Sequence, residues 1–131
     1  MINTTSIVTI SFIAAVIKLL LAIYVFNTNR KAKTNILFGL VFFFQFIWDL
    51  GKGLMWLSDI ESTALIYGKI SYVGYILSVF LFAHFCWVYL NRKNFFSKSK
   101  LGLTIWYTPM IVLIIGTIAT DLVIASLNAP G

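Results

Sequence analysis

Four long apolar runs, separated by three short polar connectors, make up nearly the whole chain. The runs cover residues 5–26, 36–57, 64–90 and 101–127. Each is long enough for a helix to cross a hydrocarbon core, which takes about 20 residues. None alternates strictly between apolar and polar residues, as a barrel strand facing lipid and lumen would. In lipid the backbone must satisfy its own hydrogen bonds, which a helix does within one segment and an open set of strands does not. The pattern predicts an all-α membrane protein, a bundle of four transmembrane helices over about 5–26, 36–57, 62–91 and 101–127. The third helix is extended at its front because Ser58-Asp59-Ile60-Glu61 has the form of a capping box, with Ser58 as N-cap and Glu61 reaching back. The first run reads as a retained helix. Residues 1–6 carry no Lys or Arg, and the span exceeds the 7–15 or so apolar residues of a signal-peptide core.

Composition agrees with this class. The chain is 60% hydrophobic and 11% charged, where a soluble domain is roughly half apolar and a quarter charged. A water-soluble chain of 131 residues has no way to hide so much apolar surface. The length suits a single transmembrane domain over 1–131. The net charge of +6 changes the picture only through its placement, because most basic residues lie in two connectors. That placement points to anionic lipid headgroups and excludes nucleic acid as a partner.

The connectors alternate in charge. Residues 27–34 hold Arg30, Lys31 and Lys33; residues 58–63 hold Asp59 and Glu61 and no base; residues 91–100 hold Arg92, Lys93, Lys98 and Lys100. Basic connectors stay in the cytoplasm, so the expected topology has the N-terminus outside, the first and third connectors inside, and the C-terminus outside. Aromatic rings favour headgroup depth. Tyr24, Trp87, Tyr89, Trp106 and Tyr107 fall near the inner interface, and Trp56 and Tyr67 near the outer one. Cys86, the one cysteine, lies in an apolar run and reads as a small buried hydrophobe, with no disulfide and no Cys-based metal site.

Charges inside spanning helices are expensive and tend to face the protein interior. By helical rise, Asp49 and Lys52 lie about 20–27 Å above the cytoplasmic end of the second helix, Lys69 about 10–15 Å below the outer start of the third, and Asp121 about 30 Å above the inner start of the fourth. All four fall in the outer half. Gln45, Asp49, Lys52 and Trp56 share one helix face by their i, i+4, i+7, i+11 spacing. The expectation is an outward-facing cluster of Asp49, Lys52, Lys69 and Asp121, with Gln45, Tyr72 and Tyr75 beside it, that binds a ligand or ion. The plainer alternative is a local Asp49–Lys52 pair at i, i+3, a snorkelling Lys69 and an Asp121 that meets headgroup water.

Lys18 and His84 lie in the inner half, about 12 Å and about 10 Å from the inner ends of their helices. Lys18 either snorkels to the interface or is hydrogen-bonded within the bundle or against another helix. His84 reads as a satisfied interior histidine, since no second histidine exists to make a metal pair. Gly68, Ser71, Tyr75 and Ser78 recur at one-turn steps on the third helix, with Gly74 adjacent, which suits close helix packing. Pro109 predicts a kink or a tolerated first-turn position in the fourth helix. There is no phosphate loop, zinc motif or nucleophile elbow, so neither catalysis nor a cofactor is expected.

Over roughly residues 35–121 the chain resembles a known family. The resemblance is carried by Trp48 and Gly51 late in the second helix, the short acidic connector and Lys69-Ile70-Ser71-Tyr72-Val73-Gly74 in the third helix. It continues through the aromatic end of that helix and the basic connector to Pro109 and Thr120-Asp121 in the fourth. These resemble the N-terminal seven-helix transmembrane sensor region of bacterial and archaeal histidine kinases. The resemblance implies an outside N-terminus, a multi-pass place in a prokaryotic cell membrane, and a sensory role whose signal passes to a cytoplasmic kinase. It covers the first four helices of such a region, so the chain reads as a fragment of a longer sensor, a stand-alone half or an unrelated four-helix protein. His84 lies within the membrane and is not a phosphoacceptor. The expected function is a non-catalytic sensor or receptor-type input domain acting on a partner. The alternatives are a small oligomeric transporter built around Lys18, Asp49 or Asp121, and an accessory subunit of a larger membrane complex. Expected partners are the lipid bilayer, another membrane protein or a second copy of the chain, and a small ligand of unspecified kind.

Overall fold

A computed structural model describes residues 3–90 and 100–119. The described residues form four helices and no strand: α1 (Thr4–Thr28), α2 (Lys33–Leu57), α3 (Glu61–Tyr89) and α4 (Lys100–Ala119). All four are long and apolar enough to cross a membrane. Asp121 and the connector bases Arg92, Lys93 and Lys98 lie outside the described residues.

Local chemistry sets the helix ends. Asn3 caps α1, its side-chain oxygen accepting from the Ser6 amide at 2.8 Å. The turn into α2 is tied by Asn29, whose side-chain oxygen accepts from the amides of Lys31 at 3.2 Å and Ala32 at 3.3 Å. Asn35 then donates its side-chain amide to the Val25 carbonyl at 3.3 Å, satisfying a carbonyl near the end of α1. The capping box does not form. Ser58 is the C-terminal cap of α2, and its hydroxyl donates to the Ile60 carbonyl at 3.2 Å. Ile60, extended at φ −99° and ψ 120°, precedes the first turn of α3 and supplies no side-chain cap. The hydroxyl that should have met the α3 amides is spent closing the turn. Pro109 sits on an exposed face well inside α4 rather than in its first turn.

The short connectors make consecutive helices antiparallel neighbours. α2 packs between α1 and α3, and α4 rests on α3 through a smaller contact. The interior is built from small residues: Ser11, Ala15 and Ala22 of α1, Gly51 and Gly53 of α2, and Gly68, Ser71, Gly74 and Ser78 of α3 are all buried. The large apolar side chains point outward instead, among them Ile13, Leu20, Phe82, Val112 and Ile115. Water would not tolerate that inversion, whereas lipid tails solvate these side chains as well as a protein core does. With no hydrophobic drive between helices, close backbone approach and buried polar contacts hold the bundle. The closest approach is between α2 and α3. A Cβ placed on Gly74 would lie 2.7 Å from the Phe44 carbonyl oxygen, and one on Gly51 would lie 3.0 Å from the Ser71 amide nitrogen. The buried stripe of α3 therefore runs Gly68, Ser71, Gly74, Ser78, while Tyr75 is exposed.

Candidate functional site

The small stripe of α1 carries the first functional element. Ser11, Ala15, Lys18 and Ala22 are spaced i, i+4, i+7, i+11, so Lys18 lies on the face that meets α2. Its ammonium is 2.6 Å from Oδ2 of Asp49, which is 9% exposed. This is the one ion pair between described residues. The contact is ionic, since Oδ2 makes no well-directed hydrogen bond. The Lys18 ammonium also stands 5.6 Å from the centroid of the Trp48 ring, a cation–π distance. Asp49 is thus paired across helices with Lys18 rather than locally with Lys52, and Lys18 does not run to the inner interface. By helical rise the two backbones differ in level, Lys18 standing about 15 Å from the end of α1 and Asp49 about 24 Å from the start of α2. A helical side chain leans toward the N-terminus of its helix, and in antiparallel α1 and α2 that lean carries the long lysine toward Asp49.

A second element opens on the other side of Trp48. Between α2 and α3 lies a cavity of about 430 Å³ walled by Trp48, Lys52, Trp56, Ser71, Tyr72 and Tyr75, among others. Trp48 and Tyr75 face each other at 4.9 Å between ring centroids. The Ser71 hydroxyl donates to the Trp48 carbonyl at 2.8 Å, pinning α3 to α2 at the base of the cavity. Of the expected cluster, Lys52, Tyr72 and Tyr75 meet here. Gln45, half-buried one turn before Asp49, is not among the walls. Trp56, which the sequence suggests as an interface anchor, is a wall.

Lys69 belongs elsewhere. Its ammonium donates to the Ile118 carbonyl of α4 at 3.0 Å. It lines a separate, almost wholly apolar cavity of about 440 Å³ among Phe44, Ile47, Val73, Leu77 and Ile118. The expected cluster is therefore split, Asp49 with Lys18 of α1, Lys52 with the aromatic cavity and Lys69 with the α3–α4 seam. Asp121 lies outside the described residues.

His84 cross-links α3 to α4. It is 7% exposed, with Nδ1 at 2.6 Å from the Tyr107 hydroxyl and Nε2 without a partner among the described residues. Beside it the Trp106 indole donates to the Phe80 carbonyl at 3.4 Å and meets the Trp87 ring at 4.9 Å. Trp106 and Tyr107, expected as interface rings, make inter-helix contacts here. No three His, Cys, Asp or Glu side chains converge among the described residues.

Four helices long and apolar enough to span a membrane, with an ion pair and an aromatic cavity between them, define a multi-pass membrane protein. The family model for the N-terminal 7TM region of histidine kinase matches residues 10–127, and the chain belongs to that family, the signal-input part of membrane histidine kinases. No curated protein and no solved structure matches the chain.

Proposed function

We propose that this chain is a single, non-catalytic transmembrane input domain with its N-terminus and the 58–60 turn outside and its basic connectors in the cytoplasm. A small ligand binds in the cavity at Lys52, Tyr72 and Tyr75. Occupancy is passed through Trp48 to the Lys18–Asp49 pair, and so to the packing of α1 on α2 that a partner kinase reads. The observation that carries this reading is the position of Trp48. One residue walls the cavity, holds its ring against the Lys18 ammonium and receives the Ser71 hydroxyl on its carbonyl. A ligand that moves this indole has a different contact energy in the two arrangements of α1 and α2, which is the requirement for shifting an equilibrium.

The test uses membranes holding the chain together with the histidine kinase encoded beside it or in continuity with it. Trp48→Ala is expected to change kinase autophosphorylation by about fivefold or more, the scale of a typical coupling free energy, with the amount of chain in the membrane unchanged. Unaltered autophosphorylation at normal abundance would rule out the sensor reading. An altered ion leak would favour a transporter, and loss of a co-purifying membrane protein an accessory subunit.

The orientation is checked separately with a membrane-impermeant thiol reagent on intact cells. Asp59→Cys is expected to be labelled and Arg30→Cys to be labelled only after the membrane is opened, as the charge difference between the connectors requires. Equal labelling of both would remove the outward-facing cavity.

A further inference from the structure

The charge balance around the aromatic cavity determines what kind of molecule it takes. Lys52 is the only charged side chain among its walls, as far as the described residues form them. The nearest acid in sequence, Asp49, is occupied by the Lys18 ammonium at 2.6 Å, and no ion pair joins Lys52 to any described residue. Asp59, in the α2–α3 turn, and Glu61, the first residue of α3, are the remaining described acids; both are exposed and line no wall of the cavity. An ammonium in the outer half of a spanning helix, with no counter-ion among the described residues, favours an anion from outside the chain.

The rest of the lining is flat and apolar. Trp48, Trp56, Tyr72 and Tyr75 contribute four rings, and Met55 a polarisable thioether. A cavity of about 430 Å³ is of a size that holds a small organic molecule. A cationic ligand, which an aromatic cage alone would suit, meets like charge from Lys52. We infer that the cavity binds a compact amphiphilic anion, with a flat apolar body against the rings and a single carboxylate or phosphate on the Lys52 ammonium. The inference rests on the sensor reading for its biological use but not for its chemistry. The same anionic head on an apolar body is offered by a free aromatic acid or by an anionic lipid of the outer leaflet.

The full chain in phosphatidylcholine nanodiscs is titrated with 1-naphthoate, 1-naphthamide and 1-naphthylmethylammonium, which share one ring system and differ in charge, with empty discs subtracted. Naphthoate is expected to bind saturably and about tenfold or more tighter than the other two, the scale of a hydrogen-bonded ion contact. Lys52→Gln should abolish that preference and Lys52→Arg preserve it, while Trp56→Ala weakens all three probes alike. Discs containing phosphatidylglycerol separate the sources: displacement of naphthoate assigns the site to a lipid head, and undisturbed binding to a free acid. Equal binding of the three probes by the unaltered chain would overturn the inference without recourse to any variant. So would a naphthoate preference that survives Lys52→Gln. If naphthoate binds as expected while kinase autophosphorylation ignores both it and Trp48→Ala, the ligand class stands and the sensor reading falls. If Trp48→Ala alters the kinase but the probes are not discriminated, the reverse holds.

Discussion

Lys18→Met is expected to destabilise the bundle by about 3–5 kcal/mol, the usual cost of removing one partner from a buried ion pair. Asp49→Leu should cost less. The asymmetry comes from the two side chains. Without Asp49, the lysine swings its long stem toward an interface and recovers hydration, and its side chain is already 25% exposed. Without Lys18, the short Asp49 carboxylate has no such escape from its place between α1 and α2, and it must remain as an unpaired anion or take up a proton. The double substitution Lys18→Met with Asp49→Leu should be near neutral, because replacing both partners with apolar groups removes the desolvation cost along with the attraction. Unfolding of the purified chain in mixed micelles, followed by helical circular dichroism, measures all three. Equal costs for the two single changes, or a double change as costly as their sum, would mean that the pair is not buried between α1 and α2.

The class of fold was legible because lipid imposes one strong rule, and four apolar runs of spanning length obey it. As far as the described residues reach, the four helices fall on those runs, with starts shifted by a few residues where a side chain sets the end, as Asn3 does for α1; the expected end of the fourth, at 127, lies outside them. The site was half legible. Lys52, Tyr72 and Tyr75 are near one another because i, i+3 and i+4 spacing places neighbours on one helix face, and α2 and α3 are joined by a short turn. The Lys18–Asp49 pair was missed because depth was counted along the backbone, which leaves out the length and lean of a lysine side chain. Its signal was present in the Ser11, Ala15, Lys18, Ala22 stripe, which puts the lysine on the packing face. The division of Lys52 from Lys69 was not legible at all. Both lie within a few turns of the α2–α3 connection, and only the faces they occupy separate them, Lys52 on α2 beside the aromatic cavity and Lys69 on α3 toward α4. Ser58 misled because its hydroxyl had two acceptable uses, capping α3 or closing the turn, and the pattern of residues is the same for both.

Gly74→Ala is expected to cost about 1–3 kcal/mol, as overpacking of a close contact does, and Gly74→Leu to prevent the native crossing of α2 and α3. The new Cβ would stand 2.7 Å from the Phe44 carbonyl oxygen, 3.0 Å from the Trp48 amide nitrogen and 3.1 Å from Ile47 Cγ2. Two of those three atoms are backbone and cannot rotate away, so the helices must separate. Separation stretches the Ser71 to Trp48 hydrogen bond, widens the cavity beside it and moves the indole that stands over the Lys18 ammonium. The damage should therefore reach α1, which Gly74 does not touch. In the Gly74→Ala background the coupling energy between Lys18 and Asp49, measured by a double-mutant cycle, should be smaller than in the unaltered chain. Gly116→Ala is the matched control, since a Cβ there meets nothing within 4 Å among the described residues and alanine is the better helix former by about 1 kcal/mol. If Gly74→Ala proves as harmless as Gly116→Ala, or leaves the Lys18–Asp49 coupling intact, then α3 does not hold Trp48 in place. The route from the cavity to α1 would then have to run through some other contact.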